Sequence, residues 1–190
     1  MSMFAILFSV PAHPIPCGSG ASEGFLHPLL GIDHLLAMVT VGLLSAQLGG
    51  RAIWTVPLTF VSVMALGGLA GVAGIPLPLV EYGIALSVLV LGIALFARRR
   101  VPEAIAMLFV GLFALFHGHA HGAEIPNAVG DGMFLAAYII GFLTATAGLH
   151  VIGALLGYIA LRSNRGAVIL RVAGAAVAVI GIALIANLGG

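Results

Sequence analysis

Two stretches of this chain concentrate side chains that bind cations. The first holds His27, Asp33 and His34; the second holds His117, His119, His121 and Glu124. Both lie within strongly apolar sequence, where an ionisable group is costly to bury and is kept for an ion path, a proton relay or a bound metal. Histidine, aspartate and glutamate together form a ligand set for first-row transition metals. The single Cys17 and the absence of any CxxC pair argue against a thiolate site. These residues predict a membrane protein that handles metal.

The spacing refines the chemistry. His117, His121 and Glu124 are spaced i, i+4, i+7 and share one helix face within about 60°. Such a histidine pair can hold a metal between its rings. His119 points to the opposite face and is expected to stay out of that site. His27 and His34 are spaced i, i+7 and also share a face, but lie about 10 Å apart along the axis. With metal–nitrogen bonds near 2 Å, they read as successive stations, an outer mouth and a deeper site. Asp33 is about 100° around from His34. It either completes the deeper site or orients a histidine through its second nitrogen. Met38 reads as packing, and Pro28 as ordinary helix-start chemistry. For His150 two roles stay open: a packing histidine bonded to a backbone carbonyl, or part of an exit path.

The elements that must position these groups follow from composition. The chain has 190 residues, 62% hydrophobic and only 7% charged, with 27 glycines and a net charge of +1. That is one domain's length, far less charged than a soluble domain, and it offers no basic surface for nucleic acid. Spanning about 30 Å of hydrocarbon takes roughly 20 apolar residues. Six segments qualify: 25–48, 53–74, 77–97, 103–122, 132–160 and 166–187. Short Gly-, Pro- and Arg-bearing connections predict a compact, all-α bundle of six antiparallel transmembrane helices spanning residues 25–190. Gly67-x-x-x-Gly71 and Gly153-x-x-x-Gly157 have the spacing of close helix contacts.

Lysine is absent and the arginines are unevenly placed. Arg51 lies in the first connection, Arg98 to Arg100 in the third, Arg162 and Arg165 in the fifth, with Arg171 just beyond. The positive-inside rule makes those connections cytoplasmic and places both termini outside. Residues 1–12 then read as a short apolar leader resembling a signal peptide, with Val10-Pro11-Ala12 as its small-residue cleavage site. It departs from the usual pattern in being short and lacking a positive n-region, which a misassigned start codon would explain. Cleavage there would leave His13 at the N-terminus of a periplasmic segment, 13–24. This topology brings His27, Asp33, His34, Glu81, His117, His121 and Glu124, from three helices, into the outer half of the membrane.

The residues then carry a resemblance. His27-Pro28, Gly31, Asp33-His34 and Met38, followed by Val41-Gly42, resemble the first-helix signature of the HupE/UreJ family. Phe116-His117-Gly118, His121-Gly122 and Glu124 are similar to its second motif. Pro78 with Glu81, and Ala145 to His150, look like further family positions. The resemblance covers roughly residues 24–187. It implies a bacterial inner-membrane nickel permease, with cobalt as an alternative cargo, that supplies metal to hydrogenase or urease maturation proteins. It implies metal-site residues His27, Asp33, His34, Glu81, His117, His121 and Glu124, with no permanent cofactor and no catalysis. The extra His119 and the abbreviated leader depart from the family pattern.

The ligand types alone suit nickel, cobalt, zinc or copper(II), so the preference for nickel comes from the resemblance. Two rivals are an intramembrane metalloenzyme and a metal-binding sensor or chaperone that does not transport. The enzyme lacks support from an HExxH motif, and seven histidines in all fall short of a membrane di-iron oxidase. Without a Walker A pattern the chain itself does not use ATP.

Overall fold

A computed structural model describes residues 20–99, 101–125 and 132–189. The leader, His13, Cys17, Arg100 and the connection from Pro126 to Asp131 lie outside the described residues. Seven helices make up the described chain: α1 (Gly20–Leu30), α2 (Ile32–Leu48), α3 (Ala52–Val72), α4 (Val80–Ala97), α5 (Glu103–Glu124), α6 (Gly132–Ala160) and α7 (Asn164–Leu188). The last five are each long and apolar enough to cross a bilayer, and α1 with α2 makes a sixth span if the pair is counted together. No strand occurs among the described residues.

The expected first helix, 25–48, is not continuous. It bends by 82° between α1 and α2. Gly31 is extended there, with φ −83° and ψ 115°. Its carbonyl accepts from the Leu35 N–H at 2.9 Å, opening a new helix instead of prolonging the old one. An added Cβ at Gly31 would meet the Asp33 carboxylate and the His34 ring at 3.1 and 3.3 Å, so the break is tight around the motif it precedes. Pro28, which has no N–H to donate, sits inside α1.

α2 is the central element and packs against every other helix. Its Ala37, Met38 and Val41 are completely buried, with Val56, Phe60 and Met64 of α3 and Val110 and Ala114 of α5 in the same core cluster. Met38 is therefore packing. Outside, the bundle is apolar too: Trp54, Leu58, Leu66, Leu108, Ile140, Ile169 and Val172 are all exposed. An apolar exterior around an apolar core is the pattern of a helix bundle solvated by lipid.

Glycines set how closely the helices approach. Gly67 and Gly71 of α3 lie against the backbone of α5 at Leu115 and His119, while Gly118 and Gly122 return the contact to Met64 and Gly68. Gly92 of α4 meets Gly174 and Ala178 of α7 in the same way, and Gly42 of α2 meets the His150 carbonyl and Gly153 of α6. With no hydrophobic force between helices in lipid, such backbone contact is what dispersion can use. Both glycine pairs singled out by spacing lie at helix contacts, Gly153 against Val39 and Gly157 against Leu43 and Ala46.

The alternating helices segregate charge. Arg51, Arg98, Arg99, Arg162 and Arg165 fall at one end of the bundle, while His27, Glu81 and Glu124 fall at the other. These are called below the arginine end and the histidine end.

Candidate metal centre

Four helices supply the side chains at the histidine end. α1 carries His27 in its last turn and α2 carries Asp33 and His34 in its first. α5 contributes His117, His121 and Glu124 from its last turns, and α4 contributes Glu81 at its start and Ser87 further in. An aspartate in the first turn of α2 is also the favourable partner for that helix's positive end.

The outermost group is a triad. One ligand atom each from His27, His121 and Glu124 lies within 4.8 Å of the others. His27 Nε2 is 3.3 Å from a Glu124 carboxylate oxygen, and His121 Nδ1 is 3.8 Å from the same oxygen. Glu124 is exposed, His27 half-buried and His121 buried, so the triad grades from the surface inward. Glu81 is exposed on the same rim, close enough to Asp33 and Glu124 for their charges to interact.

The inner group begins where the triad ends. The His121 ring lies 4.6 Å from His27 and 4.0 Å from His34, and the His34 ring lies 4.6 Å from His117. The helix break causes this continuity. On a straight helix His27 and His34 would sit apart along one axis, as expected from sequence. The bend at Gly31 instead brings both rings to His121, so the two expected stations adjoin and share that ring. His121 bridges the two levels.

Hydrogen bonds assign each inner histidine a tautomer. A carboxylate only accepts, so at 2.9 Å from Asp33 Oδ1 the His34 Nδ1 carries the proton and donates. The same oxygen accepts the His34 backbone N–H at 2.8 Å. Of the two roles open to Asp33, this geometry is that of the orienting residue. Ser87 Oγ donates to the Ile84 carbonyl at 2.6 Å. Its one proton is thereby used, so it accepts from His117 Nε2–H at 2.8 Å. That leaves His34 Nε2 and His117 Nδ1 as bare lone pairs, both buried and without a partner. Both nitrogens of His121 are also buried without a hydrogen bond. Unpaired buried imidazole nitrogens cost on the order of 1–3 kcal/mol each, and clustering several of them is what a site for a cation looks like. The donor set suits a borderline transition metal rather than calcium or magnesium, which take oxygen.

Ser87 was not apparent from sequence. A lone serine in an apolar helix carries no motif, and its partner is 30 residues away. His119 faces away from this cluster, its Nε2 2.7 Å from the Ile75 carbonyl in the connection after α3. His150 Nδ1 donates to the Thr146 carbonyl one turn back at 2.8 Å.

The HupE / UreJ protein family matches residues 1–184. The chain belongs to the HupE/UreJ family. A curated relative, Protein HupE of Rhizobium leguminosarum bv. viciae, is 48% identical over 170 residues, covering 87% of this chain and 84% of that one. No solved structure matches. The HupE/UreJ chain described here is thus a multi-pass membrane protein whose two histidine motifs meet at one end of the bundle.

Proposed function

We propose that this HupE/UreJ protein is an inner-membrane permease that takes up a divalent transition-metal cation, nickel in the first place and cobalt in the second. The observation that carries this reading is the continuous run of ligands from an exposed carboxylate to buried bare nitrogens: Glu124, His27 and His121, then His34 and His117. A resident structural site would be closed on all sides. This one opens at Glu124, which fits a cargo that arrives and leaves.

The histidine end faces the periplasm and the arginine end the cytoplasm, as the positive-inside rule requires, so both termini are periplasmic. A hydrated cation is attracted by Glu81 and Glu124 and first engages His27, His121 and Glu124. It sheds water there and moves past His121 to His34 Nε2 and His117 Nδ1. Asp33 and Ser87 hold those two rings so that a lone pair, not an N–H, faces the incoming ion. Neutral imidazole is the ligand throughout. For a doubly charged ion the membrane potential supplies about 4–5 kcal/mol per 100 mV, so inward movement can proceed without ATP. Metal delivered this way serves maturation of a nickel enzyme, hydrogenase or urease.

Radiolabelled nickel uptake into proteoliposomes tests the reading, comparing wild type with His34→Ala and His117→Ala at equal protein levels. Wild type is expected to load the vesicles and both variants to lose uptake. Tight nickel binding by a wild type that never loads vesicles would sink the permease and favour a sensor or chaperone.

A further inference from the structure

The geometry points to a second, deeper cation station at His150, separated from the outer cluster by the ring of Phe60. This inference rests on the permease reading and extends it inward. His150 is 1% exposed and Thr146 fully buried, both on α6. His150 Nδ1–H is committed to the Thr146 carbonyl, which fixes the tautomer and leaves Nε2 as a lone pair. That Nε2 has no partner, and neither does the Thr146 hydroxyl. A histidine kept only for packing would have its second nitrogen satisfied or exposed. Here the arrangement repeats that of His34 and His117: one nitrogen pinned as donor to a fixed acceptor, the other bare.

The position fits a path. Gly42 of α2 packs on the His150 carbonyl. Gly42 is eight residues past His34, which sets His150 about 12 Å nearer the arginine end. Phe60 lies between the levels, its ring centroid 5.7 Å from His117 and 5.0 Å from His150. It is completely buried. Beyond that level α2 carries Ser45, completely buried with its hydroxyl donating to the Gly42 carbonyl, and then the half-buried Gln47, whose amide atoms lack partners. An ion leaving His117 therefore meets one aromatic ring and then another imidazole lone pair. His150 takes the same class of cargo, a borderline divalent cation, as a single transient nitrogen ligand completed by water and the Thr146 hydroxyl.

His150→Asn tests this, because the asparagine amide can keep the bond to the Thr146 carbonyl while removing the Nε2 lone pair. Trp54, the one tryptophan of the chain, lines the same apolar groove as His150, and quenching of its fluorescence is the readout for metal held at His150. Purified full-length wild type and His150→Asn are titrated with nickel in detergent and assayed for uptake in proteoliposomes. The variant is expected to keep wild-type helix content and outer-cluster nickel affinity, to lose metal-dependent quenching of Trp54, and to take up nickel at least about tenfold more slowly. Uptake by His150→Asn at the wild-type rate would overturn the station and leave the permease standing. If wild type itself fails to load vesicles, the permease reading falls, and quenching decides the station alone. Quenching that requires His150 upholds it, while equal quenching in both proteins, or none in wild type, overturns it.

Discussion

At the scale of single residues, the site is built from pairs in which one member carries the lone pair and the other aims it. Asp33 fixes His34, and Ser87 fixes His117. Outer partners of this kind usually matter about as much as ligands, with loss costing roughly 10–100-fold in metal affinity. Ser87→Ala should show that penalty, measured by nickel titration calorimetry, with helix content unchanged. The Nε2–H of His117 would lose its acceptor, and the ring would be free to change tautomer and withdraw Nδ1. An affinity equal to wild type would mean that the serine only fills space. The sequence could show His117 as a candidate from its motif. Ser87 could not be seen, because the hydroxyl acquires meaning only from α4 packing beside α5.

At the scale of elements, the spans were legible and the break was not. Apolar runs and Gly, Pro and Arg punctuation mark helices α3 to α7 within a few residues, since length and polarity are what a bilayer selects. The bend at Gly31 leaves no trace in hydropathy, because both halves are apolar and Pro28 can equally start a helix. Missing it separated His27 from His34. The glycine spacing was a sounder guide, because in lipid the approach of two backbones is the main attraction available between helices. Gly118 shows how much depends on it: a Cβ there would clash with the Met64 carbonyl of α3, and backbone cannot step aside as a flexible side chain can. Gly118→Val is therefore expected to force α3 from α5, lower the thermal midpoint in detergent by several degrees, and disturb His117 and His121 on either side of it. A midpoint and uptake matching wild type would show that the two helices can separate at no cost. The same break has an electrostatic side. The carbonyl end of α1 faces the gap with partial negative charge, and the amide end of α2 with partial positive charge. Asp33 in the first turn offsets part of that positive charge.

At the scale of the whole molecule, cargo chemistry and membrane physics meet. Coordination needs neutral imidazole, whose ordinary pKa is about 6.5. A protonated imidazole offers a metal no lone pair on its ring nitrogens and carries positive charge, so acid acts twice against a cation. Uptake in proteoliposomes at fixed potential is expected to fall as external pH is lowered through the acid range. Uptake that stays flat throughout the acid range would count against imidazole ligation. Multi-pass architecture and family were both legible from the chain, since they follow from composition and two long motifs. The proposed station past Phe60 was legible only as a question about His150. Its answer depends on which nitrogen is bonded, which no sequence displays.

The uneven distribution of arginine, first used to orient the chain, also bears on reversibility. Arg51, Arg98, Arg99, Arg162 and Arg165 lie, with the single acid Glu103, at the end through which a cation would have to return on the proposed permease reading, while Glu81 and Glu124 lie at the opposite end. Within a screening length of about 8 Å, a dication approaching from the arginine side meets repulsion where one approaching from the histidine side meets attraction. The two faces thus differ in how readily they capture the ion. Catalysing passage cannot change where equilibrium lies, but it can make loading fast from one side and re-entry slow from the other, so that metal handed to a tight acceptor is seldom recaptured.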